Sequence, residues 1–83
     1  MEWEKLSTNR WRCRYHITIK ITKNRLVNCP ITCDIYRRGK KKHCTWNVWF
    51  QRTGDKIWSG KVRGVQQAKD EIAARILENK LLG

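Results

Sequence analysis

The stretch RWRCRYHITIKIT, residues 10–22, decides the fold. Trp11, Cys13, Tyr15, Ile17, Ile19 and Ile21 alternate with Arg12, Arg14, His16, Thr18, Lys20 and Thr22. A period of two held this long, with β-branched residues through its second half, predicts a strand. One face of that strand is apolar and the other basic and polar.

Downstream, KNR (23–25) predicts a turn and LVNCP (26–30) leads into a second strand, Ile31 to Arg37. Pro30 belongs at that strand's start or on an edge, because it has no N–H for a central ladder. RRGKKKH (37–43) reads as a basic loop with one glycine. CTWNVWFQR (44–52) predicts a third strand. Trp46, Val48 and Phe50 share one of its faces, and Thr45, Asn47, Trp49 and Gln51 the other. Thr53-Gly54 signals a tight turn, and a fourth strand follows from Asp55 to Val62. With Thr53 and Gly54 as the central pair, Phe50 faces Ile57 and Trp49 faces Trp58. That aromatic pair either packs under the first strand, the preferred reading, or stands exposed as a platform for bases.

SGKVRGVQQAKDEIAARIL (59–77) passes two glycines and becomes a helix starting near Gly64 or Val65. Val65, Ala68, Ile72, Ile76 and Leu77, with Ala73 and Leu81, form a stripe at helical spacing. Asp70, Glu71, Arg75, Glu78 and Asn79 lie off it. Glu71 and Arg75 form an i, i+4 pair of favourable order. The stripe is expected to pack on Trp46, Val48, Phe50 and Ile57. The order β-β-β-β-α makes an α+β fold: an antiparallel sheet of three to four strands with a C-terminal helix on one face. At 83 residues the chain is a single small domain, residues 1–83.

Charge is the strongest global feature. Nineteen Lys and Arg stand against seven Asp and Glu, a formal net charge of +12. Between Lys5 and Lys69 only Asp34 and Asp55 are acidic, so the positive field is concentrated in the middle of the chain. That asymmetry points to a polyanionic partner, nucleic acid first. MEWEKLSTNR at the amino terminus has no apolar core of a secretory signal, so an intracellular location is expected, nuclear if the source is a eukaryote. No apolar run reaches the length of a membrane span.

Cys13, Cys29, Cys33 and Cys44 are expected to be reduced and metal-free. Cys13 and Cys33 fall on apolar strand faces, where cysteine behaves as a small hydrophobe. Cys29, Cys33, His43 and Cys44 have the spacing C-x3-C-x9-H-C, which is not that of a zinc ribbon or finger. No catalytic residues and no cofactor are expected. His16 and His43 are far apart, no nucleophile or phosphate-loop motif is present, and Asp70 and Glu71 diverge on the helix.

From Ile31 to Leu77 the chain resembles the C-terminal part of a double-stranded RNA-binding domain. The matching features are the loop GKKKH (39–43), the strands TWNVWFQR (45–52) and DKIWSGKV (55–62), and the helix with AK (68–69) and IAARIL (72–77). The resemblance implies that the loop enters the minor groove of duplex RNA while the helix start straddles phosphates across the major groove. It assigns the binding role to Lys40, Lys41, Lys42, His43, Lys61, Arg63 and Lys69. A helix start favours anions independently of any family. Two family features are missing. A strand at residues 11–22 stands where the first helix belongs, and Val65 and Gln66 stand where a lysine pair belongs.

WNVWFQRTGDKIWSGKVRGVQQAKDEI (46–72) also resembles the amino-terminal arm-site DNA-binding domains of phage integrases. That resemblance implies that the sheet enters the DNA major groove, with Arg52, Lys56 and the Trp49/Trp58 face in contact. The expected activity is thus non-catalytic nucleic-acid binding, duplex RNA favoured and DNA possible. A small protein-interaction module or inhibitor, pairing through a sheet edge, is the third reading.

Overall fold

The computed structural model describes residues 1–38 and 43–82, with the backbone alone at 19–21 and 79–82. Five strands, β1 (Glu4–Ser7), β2 (Arg10–Thr22), β3 (Arg25–Arg37), β4 (Cys44–Phe50) and β5 (Lys56–Val62), precede one helix, α1 (Val65–Leu82). They form one open antiparallel sheet in the order β1-β2-β3-β4-β5. The α+β expectation therefore holds, with one strand more than the sequence pattern disclosed. β1 is too short and too exposed to carry an alternating signal.

β3 begins at Arg25, six residues before the expected start, and Pro30 lies inside it opposite His16. The ladder tolerates this for a local reason. The Pro30 carbonyl accepts from Gln51 N at 3.1 Å, on the side of β4. In a strand the N–H of a residue points to the same side as its carbonyl. The donor that proline lacks is thus aimed where β4 has already ended at Phe50.

One face of the sheet is covered by α1. Cys13 and Ile17 of β2, Ile31, Cys33 and Ile35 of β3, Cys44, Trp46 and Val48 of β4 and Val62 of β5 are buried there. Ala68, Ile72 and Ile76 seal them from the helix side. The helical stripe is narrower than expected: Leu77 is 58% exposed, and Ala73 is also exposed. Glu71 does not pair with Arg75. Its carboxylate accepts a 2.8 Å hydrogen bond from Trp46 Nε1, joining helix to sheet. The Trp46 indole lies against Gly60, its cross-strand partner. A Cβ at position 60 would come within 2.7 Å of that ring, so only glycine fits.

The β4–β5 hairpin differs from the expected two-residue turn. Phe50 N donates to Asp55 O at 3.0 Å and Gly54 N to Phe50 O at 2.8 Å, closing a loop over residues 51–54. Gly54 takes φ +75°, the left-handed conformation that glycine permits at low cost. A bulge then sets Val48 opposite Trp58 and Trp49 opposite Lys56. Trp58 consequently packs against the core beside Ile57, while Trp49 is on the other face. The expected Trp49–Trp58 pair does not form.

Candidate nucleic-acid interface

The face of the sheet that α1 leaves uncovered is built from the polar half of each alternation. Its register groups side chains into three rows across the strands. Arg10, Tyr36, Thr45 and Lys61 form the first. Arg12, Asp34, Asn47 and Ser59 form the second, joined by Glu4 of β1. Arg14, Thr32, Trp49 and Lys56 form the third.

The rows differ in electrostatics. In the middle row Arg12 donates to Asp34 through Nε at 2.8 Å and Nη2 at 3.3 Å. That hydrogen bond and the Asp34 charge raise the guanidinium pKa. Arg10 approaches the same carboxylate at 3.9 Å. Asp34 therefore neutralises the centre of the face. Arg14, Lys56 and Lys61 form no ion pair among the described residues. Two rows with two cations each thus flank a middle row in which Arg12 is outnumbered by Asp34 and Glu4, and which carries Asn47 and Ser59. Four residues of strand separate the outer rows, about 14 Å at the usual rise.

The first row opens into a cleft of about 590 Å³ lined by Arg38, His43, Thr45, Lys61, Val62 and Arg63. Four of these six are basic or titratable to a cation and none is acidic. The structure therefore brings together His43, Lys61 and Arg63, three of the residues singled out in the sequence, and adds Arg38. Arg38 and His43 are the last described residues on either side of 39–42. The expected contacts Lys40, Lys41 and Lys42 lie outside the described residues. Lys69 is placed elsewhere: its ammonium stands 5.9 Å from the centre of the Trp3 ring, and it does not line the cleft.

The junction between β5 and α1 is closed by its own side chains. Gln67 Oε1 accepts from Arg63 N at 3.3 Å, and Ala68 N donates to Gly64 O at 3.0 Å as the first helical bond. A first-turn side chain reaching back to the preceding N–H is the logic of a capping box. Arg37 is likewise committed to structure. It donates to Asn9 Oδ1 at 3.2 Å and Thr8 O at 2.9 Å, and its guanidinium lies 5.4 Å from the Trp11 ring centre.

Sequence reasoning missed Arg10, Arg14 and Arg38 as site residues. The alternation of residues 10–22 placed Arg12 and Arg14 on one polar face, and that was the available signal. What the pattern lacked was the pairing that sets Arg14 in one row with Lys56 and Arg10 in one row with Lys61, across the two intervening strands β3 and β4.

The cysteines contribute no reactive group to this face. Cys13 and Cys33 are directly opposite each other on the helix side. Burial pushes the Cys33 thiol up to about 12, with smaller contributions from Cys13 and Asp34. Burial also raises Cys13 and Cys44. Among the described residues no three His, Cys, Asp or Glu side chains are grouped to hold a metal ion.

No family model matches this sequence, and no curated protein or solved structure shows significant similarity to it.

Proposed function

We propose that this domain binds duplex DNA without catalysis, laying the uncovered face of its sheet into the major groove. The observation that carries this reading is the pair of cationic rows about 14 Å apart, set four residues along the strands. The B-DNA major groove is about 12 Å wide and admits β structure, so both rows can reach its bordering phosphates. Asn47 and Ser59 then stand over the base edges, in the same middle row as the Arg12–Asp34 pair. A-form RNA has a deep, narrow major groove that side chains cannot read, which disfavours this mode for duplex RNA.

Binding of duplex RNA is the second reading. Its support is the cleft lined by Arg38, His43, Lys61 and Arg63, of which Arg38 and His43 flank the lysine-rich residues 39–42 in sequence. Competition among duplex DNA, duplex RNA and single strands at two salt concentrations separates the two. On the DNA reading, duplex DNA wins. Replacing Arg14 and Lys56 together by Ala then lowers the salt slope by about two, with little change in melting temperature. Preference for duplex RNA, with loss of binding in Arg38→Ala/Arg63→Ala but not in Arg14→Ala/Lys56→Ala, would transfer the site to the cleft. Absence of binding to every nucleic acid at low salt would remove both readings.

A further inference from the structure

β2 and β3 are each 13 residues long, but their neighbours are short. β1 reaches β2 only at Arg10 to Arg12, and β4 meets β3 only from Ile31 onward. From Ile17 to Thr22 and from Arg25 to Cys29 the two strands therefore pair only with each other. The ribbon extends about 20 Å beyond the residues that meet β4, from six residues at the usual rise, with Ile17 and Cys29 at its base still packed on the core. The whole molecule measures 48 × 22 × 20 Å, elongated as such an arm requires. Residues 17–29 contain Lys20, Lys23 and Arg25 and no acid. Lys23, Asn24 and Arg25 are exposed at its tip, and neither cation has an ion pair among the described residues.

The ribbon starts next to the third row of the open face, beyond Arg14 and His16. A sheet seated in a major groove, with that row on one phosphate backbone, points the ribbon past that backbone along the duplex. We infer that the β2–β3 ribbon is a second DNA-contacting element, whose tip cations Lys23 and Arg25 hold phosphates flanking the site gripped by the sheet. This rests on the reading of the open face as a DNA-binding surface. The partner is the same duplex, selected by charge: the tip is cationic, and the track it continues is cationic. Twenty ångströms corresponds to about six base pairs at 3.4 Å per step.

The test uses the full chain, wild type and Lys23→Ala/Arg25→Ala, with mixed-sequence duplex DNA in steps of three base pairs from 9 to 24. Both positions are exposed, Lys23 in the turn and Arg25 at the first residue of β3, and a thermal melt checks that the variant stays folded. Wild-type affinity is expected to rise as the duplex lengthens through a final window of about six base pairs. The variant should lose that rise, and its salt slope should fall by about two. Equal length dependence and equal slopes in a wild type that binds DNA would overturn the role of the ribbon and leave the open-face site standing. A variant altered only in self-association would assign the ribbon to a second copy of the chain and equally overturn it. A wild type that binds no duplex of any length would instead remove the open-face reading itself, and the ribbon inference with it.

Discussion

The two faces of this sheet are made by the same strands and differ in character, one buried and apolar, the other uncovered and polar. Along β2, Cys13 and Ile17 are sealed beneath α1, while Arg12 and Arg14 stand on the uncovered side. Along β4, Trp46 and Val48 are buried, while Asn47 and Trp49 alternate with them. Four of the five tryptophans, Trp3, Trp11, Trp46 and Trp58, belong to or pack against the core, and only Trp49 is on the open face. Stability and charge are thus separated by the strand pleat rather than by distance along the chain. Substitutions on one face should move melting, and those on the other should move binding.

The strongest challenge to that separation is Trp46. Trp46→Ala removes the largest fully buried side chain together with its bond to Glu71. A loss of about 3–5 kcal/mol is expected in denaturant titration. Gly60→Ala attacks the same contact from the other strand by forcing a methyl group against the indole. It should cost about 1–3 kcal/mol through overpacking. If either variant kept its stability but lost DNA affinity, the division of labour between the faces would be wrong.

A smaller and graded effect is expected from pH. The folded Cys33 thiol, raised by burial to about 12, stays protonated where the unfolded thiol has already ionised. The unfolded chain then binds fewer protons than the native one, so stability falls as pH rises. The fall begins above about 8.5, the unfolded thiol value, and continues towards 12 at up to about 1.4 kcal/mol per pH unit. Cys33→Ala should remove this component of the alkaline slope when denaturant midpoints are compared between pH 8 and 10. An unchanged slope would place its origin in other groups.

The smallest effect sharpens the open face. Asp34→Asn keeps the shape of the middle row and releases Arg12 from its ion pair. Affinity for mixed-sequence DNA should rise severalfold and the salt slope steepen by about one, with melting lowered only modestly. Weaker binding instead would show that the Arg12–Asp34 pair is itself part of the contact.

Much of this was legible before any tertiary structure. The alternation of residues 10–22, the helical stripe of Ala68, Ile72 and Ile76, and the basic centre of the chain are properties of local order. A pleat turns side chains by halves and a helix by 100°, so pattern alone assigns faces. His43 was named from the sequence through the resemblance that the loop GKKKH carries, and Lys61 and Arg63 because they are close to a helix start. The Trp49–Trp58 pair failed at the register, because a period of two inverts when one bulged residue enters the ladder. Nothing in TGDKIW announces that bulge; the packing of both Ile57 and Trp58 on the core accompanies it.

The sequence by itself determined the class of fold, the side of each long strand that faces the core, and the concentration of positive charge in the middle of the chain. Tertiary structure decided which cations share a row. Arg14 and Lys56 are 42 residues apart along the chain and share a row only because β3 and β4 lie between them. It also decided which charges are neutralised, since Asp34 reaches Arg12 across a strand pair. Periodicity is a local consequence of backbone geometry, whereas strand partners, bulges and ion pairs depend on the packing of the whole chain, which no short window of sequence contains.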